Sequence, residues 1–154
     1  FFMKLKIKYP AYDEEKVILE RMVNEQPIPL RKVLNPDAIE SMREVMDQVY
    51  MEEKLKDYIL HLINSTRHPE RYPRLIDLKG LIEFGASPRA TIFLARAAKA
   101  NAYISGRAYV IPDDIKAVAR DVLRHRIILS YEAEAEEVTS EEIINRILDE
   151  IEVP

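Results

Sequence analysis

The chain has 154 residues, 47% of them hydrophobic and 32% charged, which is typical of one globular domain with a useful core. It has no cysteine, and this excludes a disulfide scaffold, a thiolate metal site and a cysteine nucleophile. Its formal net charge of −4 gives no general attraction to nucleic acids or anionic membranes, and no apolar run approaches the roughly 20 residues of a membrane span. We therefore expect a cytoplasmic protein that neither binds nucleic acid nor inserts into a membrane.

The first predicted element is a strand over residues 3–9, where apolar side chains alternate strictly with lysines. No strong partner strand follows it, and a lone strand leaves its backbone donors and acceptors unpaired. We expect it to belong to a sheet whose other strands lie upstream, which agrees with the absence of an initiator methionine before Phe1. Without those strands, residues 1–10 have three options: disorder, packing on the chain's own helices, or pairing with a second copy. We expect disorder or self-association.

Nearly everything after this strand is predicted to be helical. Asp13 is expected to cap the first helix, and Asn35 with Pro36 to begin the second, after a loop that holds Pro27 and Pro29. A third helix is expected to end near Thr66-Arg67. The side chains expected to turn inward from these helices are Ile18, Leu19, Met22 and Val23, then Ile39, Met42, Met46 and Val49, then Leu55, Ile59, Leu62 and Ile63.

The middle of the chain is predicted to be irregular over residues 68–84, with a small hairpin there or near residues 109–110. Ser87 and Pro88 are expected to open the longest helix, which crosses an alanine-rich stretch and runs to about Ser105. Gly106 follows as the usual residue that ends a helix.

Two further helices are predicted in the last third of the chain. Pro112 begins the first of them, with Asp113 and Asp114 near its positive end, and Thr139 with Glu142 forms a capping box for the last. The acidic run over residues 132–137 is interpreted as a solvated face. The side chains expected inside are Ile115, Val118, Val122 and Leu123, followed by Ile143, Ile144, Ile147, Leu148 and Ile151.

Arg89 departs from the local rules for helices. It lies in the first turn of the longest helix, where free amide groups already carry about half a positive charge and acidic residues are favoured. The position becomes favourable when an anion such as a phosphate binds at the helix start, because the amides and the guanidinium then serve the same charge. On local physics alone, an ordinary surface ion pair with Glu83 or another carboxylate is a competing interpretation.

Three ordered blocks of the sequence resemble the lid of MoxR-type AAA+ ATPases, relatives of the magnesium-chelatase ATPase subunit. Residues 85–90 (GASPRA) resemble the sensor II motif of that family. Residues 106–115 (GRAYVIPDDI) and 122–126 (VLRHR) resemble the blocks that follow it. The likeness covers essentially the whole chain. It departs from the family pattern at Ile111, where a small hydroxyl cap is usual, and this affects one helix cap and no function.

The resemblance implies a mainly α-helical fold, namely a helical AAA+ lid bundle preceded by one detached core strand. Residues 1–10 would be the last strand of the ATPase core, and residues 11–35 the connecting helix and loop. Residues 36–154 would form the lid domain that carries the sensor II motif.

The resemblance also implies which residues meet the nucleotide. Arg89 would be the sensor II arginine, a catalytic residue that reaches the terminal phosphates of ATP across the cleft between core and lid. Gly85 would permit close backbone approach, while Ser87 and Pro88 would fix the helix start that aims Arg89. Tyr9 is a further nucleotide-binding candidate.

Cofactors and partners follow from the same resemblance. ATP and Mg²⁺ would serve the parent protein, while this chain, which has no GxxxxGK[ST] phosphate loop, is expected to hold neither and to be inactive alone. The expected partners are the upstream AAA+ core, neighbouring subunits of a chaperone-like ring, and a von Willebrand factor A domain protein. The three histidines lack the i,i+4 spacing of a helical zinc site, so no metal site is expected.

Two alternatives stay open. Residues 124–126, with Lys116 and Arg120, form a basic patch that fits either a neighbouring subunit's nucleotide or a solvated helix end. The rival function is a free-standing helical adaptor that binds protein partners, with Arg89 in an ordinary ion pair. A helical nucleic-acid binder ranks below both because the net charge is negative.

Overall fold

The computed structural model describes residues 1–24 and 29–153. Its main elements, in chain order, are α1 (Tyr12–Val23), α2 (Pro36–Asp47), α3 (Glu53–Arg67), β1 (Ile82–Phe84), α4 (Pro88–Ile104), α5 (Pro112–Leu123), β2 (Ile128–Leu129), α6 (Tyr131–Ala135) and α7 (Ser140–Glu150). Two 3₁₀ helices, Pro69–Arg71 and Pro73–Gly80, connect α3 to β1. The predicted mainly helical class is confirmed. The predicted loop at Pro27 lies outside the described residues.

The core lies where α4 packs against α3 and α5. α7 covers this core and contacts both α3 and α5. Alanines on the inner face of α4 let these helices approach closely, and larger side chains from the neighbours fill the remaining space. Each large side chain contributes roughly 1.5–3 kcal/mol when it is fully buried. Those with almost no exposure include Ile59, Leu62 and Ile63 of α3, Ile115, Val122 and Leu123 of α5, and Ile143, Ile144 and Ile147 of α7. The inward faces predicted for α3, α5 and α7 are confirmed.

The predicted helix ends agree with the structure in three places. The Asn35 side chain accepts a hydrogen bond of 2.8 Å from the Ala38 amide at the start of α2. Before α7, the Thr139 amide donates to the Glu142 carboxylate at 2.7 Å, while the Glu142 amide donates back to the Thr139 hydroxyl at 3.2 Å. Gly106 ends α4 with a φ of 74°, a backbone conformation that residues other than glycine rarely adopt.

The prediction for the first two helices is partly wrong. No residue of α1 or α2 is buried; Met46 is partly buried, and Val49 just beyond α2 is buried. An apolar stripe shows that a helix has a face to bury, but burial also needs a surface to receive it, and the described residues bring none against α1. Asp13 is not the cap either. The cap position is Ala11, two residues earlier, and the Glu14 carboxylate accepts from the Ala11 amide at 2.8 Å.

Residues 1–11 form neither a helix nor a strand, so the strand predicted at 3–9 is absent from this structure. No other described segment pairs with it. Residues 1–4 instead lie across the bundle: Met3 packs on the core, and the Lys4 amide donates to the Asp121 carbonyl at 2.8 Å. Packing on the chain's own helices, one of the three options, is thus the arrangement of residues 1–4 in this structure, in place of the expected disorder; self-association stays a prediction.

The short strands do not form the predicted hairpin. β1 pairs antiparallel with β2, joining Ile82 to Leu129 and Phe84 to Ile128, so its partner lies beyond α4 and α5 in the sequence. Tyr109 forms an isolated parallel bridge with Tyr50 rather than with a neighbour. Local turn signals predict hairpins, whereas these pairings arise because the packed helices bring distant connections together.

Candidate functional site

The candidate site is the first turn of α4. Ser87 precedes the helix in an extended conformation, with φ −72° and ψ 165°, and Pro88 is the first helical residue. The Ser87 side chain makes no capping hydrogen bond, and the first turn contains no acidic residue. The positive end of this helix dipole is therefore not compensated by its own residues.

Arg89 adds a further positive charge at this point. Its side chain is exposed, and the ion pairs found among residues 1–24 and 29–153 include neither Arg89 nor Glu83. The competing interpretation, an ordinary ion pair with Glu83, is thus not what the structure shows. A guanidinium beside free helix amides is an arrangement that a phosphate would stabilise, because both kinds of donor point to one anion.

Gly85 holds the start of α4 against the end of α3. A Cβ atom at this position would lie 2.3 Å from the Thr66 carbonyl oxygen and 2.7 Å from the Arg67 nitrogen. The Thr66 hydroxyl accepts from the Ala86 amide at 2.9 Å and donates to the Ile63 carbonyl at 2.7 Å. The close approach predicted for Gly85 is therefore made to α3, and it sets the direction in which α4 begins. Sequence reasoning missed Thr66, since a threonine near a helix end follows no distinctive pattern.

One turn after Arg89, the side chain of Phe93 is covered by two others. The Phe2 ring centre lies 4.7 Å from that of Phe93, and the Arg126 guanidinium carbon lies 4.9 Å from the Phe93 ring centre. Burial lowers the pKa of Arg126, and the nearby positive charge of Arg89 lowers it further. Because Arg126 lies on Phe93, and Phe93 is one turn after Arg89 on α4, the two like charges are on the same side of the helix start. The sequence placed Arg126 in a basic patch but gave no sign of its contact with Phe93.

The structure divides that predicted basic patch. Arg124 is paired with Asp121 at 2.7 Å and with Glu141 at 3.1 Å, and Arg120 donates to the Asn145 side chain at 2.6 Å. Arg126 alone of these three arginines faces Phe93. The patch is therefore not a uniform cationic surface: Arg124 is paired with two carboxylates, Arg120 is hydrogen-bonded to a neutral amide, and Arg126 donates to backbone carbonyls.

The second family-like block, residues 106–115, stabilises the fold. Asp114, buried in the first turn of α5, accepts from two Arg107 nitrogens at 2.7 Å and 2.6 Å and from the Asn101 side chain at 2.8 Å. It also accepts from the Ile111 amide at 2.9 Å, which supplies part of the cap that the Ile111 side chain does not provide. This network fixes the connection from α4 to α5. Asp113 and Asp114 thus mark a helix start, as predicted.

Tyr9 is not part of this site in the structure. Its side chain is 98% exposed, and residues 2–6 run from Phe93 towards α7, where Lys6 lies 3.7 Å from Glu141. Tyr9 follows beyond that point, so the described contacts do not bring it to the first turn of α4. Ser87, Pro88 and Arg89 do lie together there.

Comparison with known proteins matches residues 78–147 to the family described as the AAA lid domain. The whole chain is 36% identical to "Chaperone MoxR1" of Mycobacterium tuberculosis and covers 40% of it. Over 71% of the chain, it is 30% identical to "Protein MoxR" of Methylorubrum extorquens, of which it covers 33%. The crystal structure of a proposed ATPase from Cytophaga hutchinsonii matches the full chain with a TM-score of 0.94 and 38% identity, and the chain covers 47% of it.

The chain thus spans less than half the length of these relatives. Within residues 1–24 and 29–153, no helix is both long enough and apolar enough to cross a membrane. The matched lid domain includes α4, α5 and the first turn that carries Arg89. The MoxR likeness extends over the segments on both sides of it. The chain contains the AAA lid domain and is similar over its whole length to part of a MoxR chaperone.

Proposed function

We propose that the parent protein is a ring-forming, chaperone-like ATPase that converts ATP and water to ADP and phosphate, with Arg89 as its sensor II arginine. The relatives named as a chaperone and as a proposed ATPase support the activity. The observation that carries the role of Arg89 is its position, exposed in the first turn of α4 and outside every ion pair of the described residues.

The geometry fits a phosphate ligand. The guanidinium offers parallel N–H donors that match phosphate oxygens, and the first-turn amides of α4 add the positive end of a helix dipole. During phosphoryl transfer, charge spreads over the equatorial oxygens of the transferred group, so a fixed cation stabilises the transition state. Because Arg89 is part of the lid, its contact with the terminal phosphates links the state of the nucleotide to the position of the lid.

The remaining assignments of the proposal rest on the similarity to these relatives. The core would hold the Mg²⁺ and most of the phosphate contacts, and neighbouring subunits would complete the ring. A von Willebrand factor A domain protein as partner, a cytoplasmic location and a relation to the magnesium-chelatase ATPase subunit stay predictions. Ser87 and Pro88 are proposed to act by fixing the helix start, with Gly85 holding that start against α3.

The test is Arg89→Ala in the full-length ATPase, compared with Arg89→Lys and wild type. We expect kcat to fall about 10²–10³-fold in Arg89→Ala, because a transition-state contact of this kind is worth about 3–4 kcal/mol. Arg89→Lys keeps the charge without the paired donors, so we expect a smaller loss. The melting temperature should stay close to wild type, since an exposed arginine adds little stability.

Arg96→Ala is the matched control, because Arg96 is another exposed arginine on α4, two turns further along. Its kcat should equal that of the wild type. An unchanged kcat in Arg89→Ala would remove Arg89 from the reaction and leave it an ordinary surface arginine. A large fall in melting temperature would instead make Arg89 a structural residue.

A further inference from the structure

Arg126 is a partly buried cation with no carboxylate partner among the ion pairs of the described residues. Other arginines in this region do have carboxylate partners. Two residues earlier, Arg124 is paired with both Asp121 and Glu141, at 2.7 Å and 3.1 Å. A guanidinium removed from water without an acid costs free energy, so its retention here requires another role or another compensation.

Backbone carbonyls and an aromatic ring hold Arg126 in place. Its Nε donates to the Val122 carbonyl at 2.9 Å, and its Nη2 donates to the carbonyls of Phe1 at 2.5 Å and Phe2 at 3.4 Å. Its guanidinium lies over the Phe93 ring, which Phe2 contacts as well. These contacts compensate the lost hydration while leaving the positive charge unneutralised. They also fasten residues 1 and 2 to α4.

The contact with Phe93 has a consequence for Arg89. Residues four apart on a helix are neighbours on one face, so Phe93 is the aromatic ring on which Arg89 could fold back. Arg126 and Phe2 already cover that ring. The charge of Arg126 also repels that of Arg89, which agrees with the lowered pKa of Arg126. Both effects keep the Arg89 side chain off the lid and extended into solvent.

We infer that Arg126 is a positioning residue: by occupying Phe93 and repelling Arg89, it holds the Arg89 side chain extended towards the nucleotide. The extended position of Arg89 then depends on the docking of residues 1–4, which hold Arg126. The inference rests on the proposed role of Arg89. Arg126 itself does not touch the phosphates. Because residues 1–4 supply the carbonyls that hold Arg126, their displacement would release both arginines together.

The experiment measures kcat and KM for Mg-ATP in the full-length ATPase for Arg126→Gln, Arg89→Ala and the double variant. Arg126→Gln should lower kcat about tenfold, because a displaced catalytic group loses rate steeply with distance. In the Arg89→Ala background, the same change should lower kcat less than twofold, since no correctly placed Arg89 remains to be lost. A residue with a merely structural role would lower kcat equally in both backgrounds.

A rescue variant adds a second readout. Phe93→Leu removes the ring on which Arg89 would fold back, so Phe93→Leu combined with Arg126→Gln should recover part of the lost kcat. Arg126→Lys keeps the charge but not the forked donors, and kcat should lie between wild type and Arg126→Gln. If Arg126→Gln does not fold, Arg126→Lys in the two Arg89 backgrounds is judged by the same criterion.

Each outcome decides the matter. Equal losses in both backgrounds, or no loss in Arg126→Gln with Arg89→Ala impaired, would overturn the inference and leave the proposed function standing. An unimpaired Arg89→Ala would overturn the proposed function, and the inference with it. Strong non-additivity together with rescue by Phe93→Leu is the expected result.

Discussion

Gly85 shows at the residue scale how the direction of α4 is decided. The main chain passes so close to Thr66 that a side chain at position 85 would overlap backbone atoms, which cannot move aside as a flexible side chain can. The Thr66 hydroxyl then binds the next amide, at Ala86. The first turn that carries Arg89 is thus fixed by contacts with the end of α3.

Gly85→Ala should therefore destabilise the chain by about 1–3 kcal/mol, because overpacking against fixed backbone forces a local shift. Gly80→Ala is the matched control: its Cβ would lie 3.1 Å from a Glu132 carboxylate oxygen, at the flexible end of a side chain. We expect less than about 0.5 kcal/mol there. Denaturant unfolding of both variants measures the difference, and equal effects would contradict this account of Gly85.

Asp114 is the residue on which the connection between α4 and α5 depends. Asp114→Asn removes the charge that Arg107, Asn101 and the Ile111 amide share, and leaves partly buried donors poorly matched. We expect a loss of about 1–3 kcal/mol in the free energy of unfolding. Asp113→Asn, an exposed neighbour in the same turn, should change it by less than about 0.5 kcal/mol. Similar losses in the two variants would refute a specific role for Asp114.

The same carboxylate makes stability depend on pH. Burial acts to raise the pKa of Asp114, but the hydrogen bonds from Arg107, the Ile111 amide and Asn101 outweigh it, so the pKa lies below its ordinary value. A carboxyl with a lowered folded pKa stabilises the fold above its unfolded pKa of about 4, and this contribution is lost as the pH falls through the folded pKa. Wild type should lose more stability than Asp114→Asn on acidification from about pH 5 to pH 2. Parallel pH profiles would contradict this.

At the scale of elements, the N-terminal segment and α1 behave differently from the bundle. Residues 1–4 use Phe2 and Met3 to contact the bundle, whereas Leu5 and Ile7 stay 68% and 92% exposed. α1 has apolar side chains but buries none of them. Apolar side chains of these segments are therefore packed only where they can contact the bundle, here at Phe93 and its neighbours.

Replacing both Phe2 and Met3 by alanine should lower the free energy of unfolding by about 1–3 kcal/mol, because both side chains contact the bundle. Replacing Leu5 and Ile7 in the same way should change it by less than about 0.5 kcal/mol. Thermal unfolding of the 154-residue chain compares the pairs. If the second pair costs as much as the first, residues 5–10 are packed in solution.

At the scale of the whole molecule, the 154-residue chain contains the lid but no GxxxxGK[ST] sequence. We predict that the purified chain does not hydrolyse ATP and binds it only weakly, because the phosphate loop supplies most phosphate contacts in such enzymes. Phosphate release and calorimetry with Mg-ATP test this. Turnover, or micromolar affinity, would show that the lid carries a nucleotide site of its own.

The sequence by itself determined the helical class, most helix starts and the position of Arg89. These are local properties: Asn35 and Thr139 accept hydrogen bonds from amides of the adjacent turns, and Pro112 supplies the φ of a first helical residue. Gly106 adopts the positive φ that ends α4. The family-like block at residues 85–90 was recognisable for the same reason, since its order of residues is contiguous.

Only the tertiary structure decided which predicted faces were buried and what surrounds Arg89. The contact of Gly85 with Thr66, and that of Arg126 with Phe93, join residues far apart in the sequence. The pairing of β1 with β2 and the docking of residues 1–4 do so as well. Such contacts depend on how the packed helices place distant side chains in space, and the periodicity of a single segment contains no information about its partner.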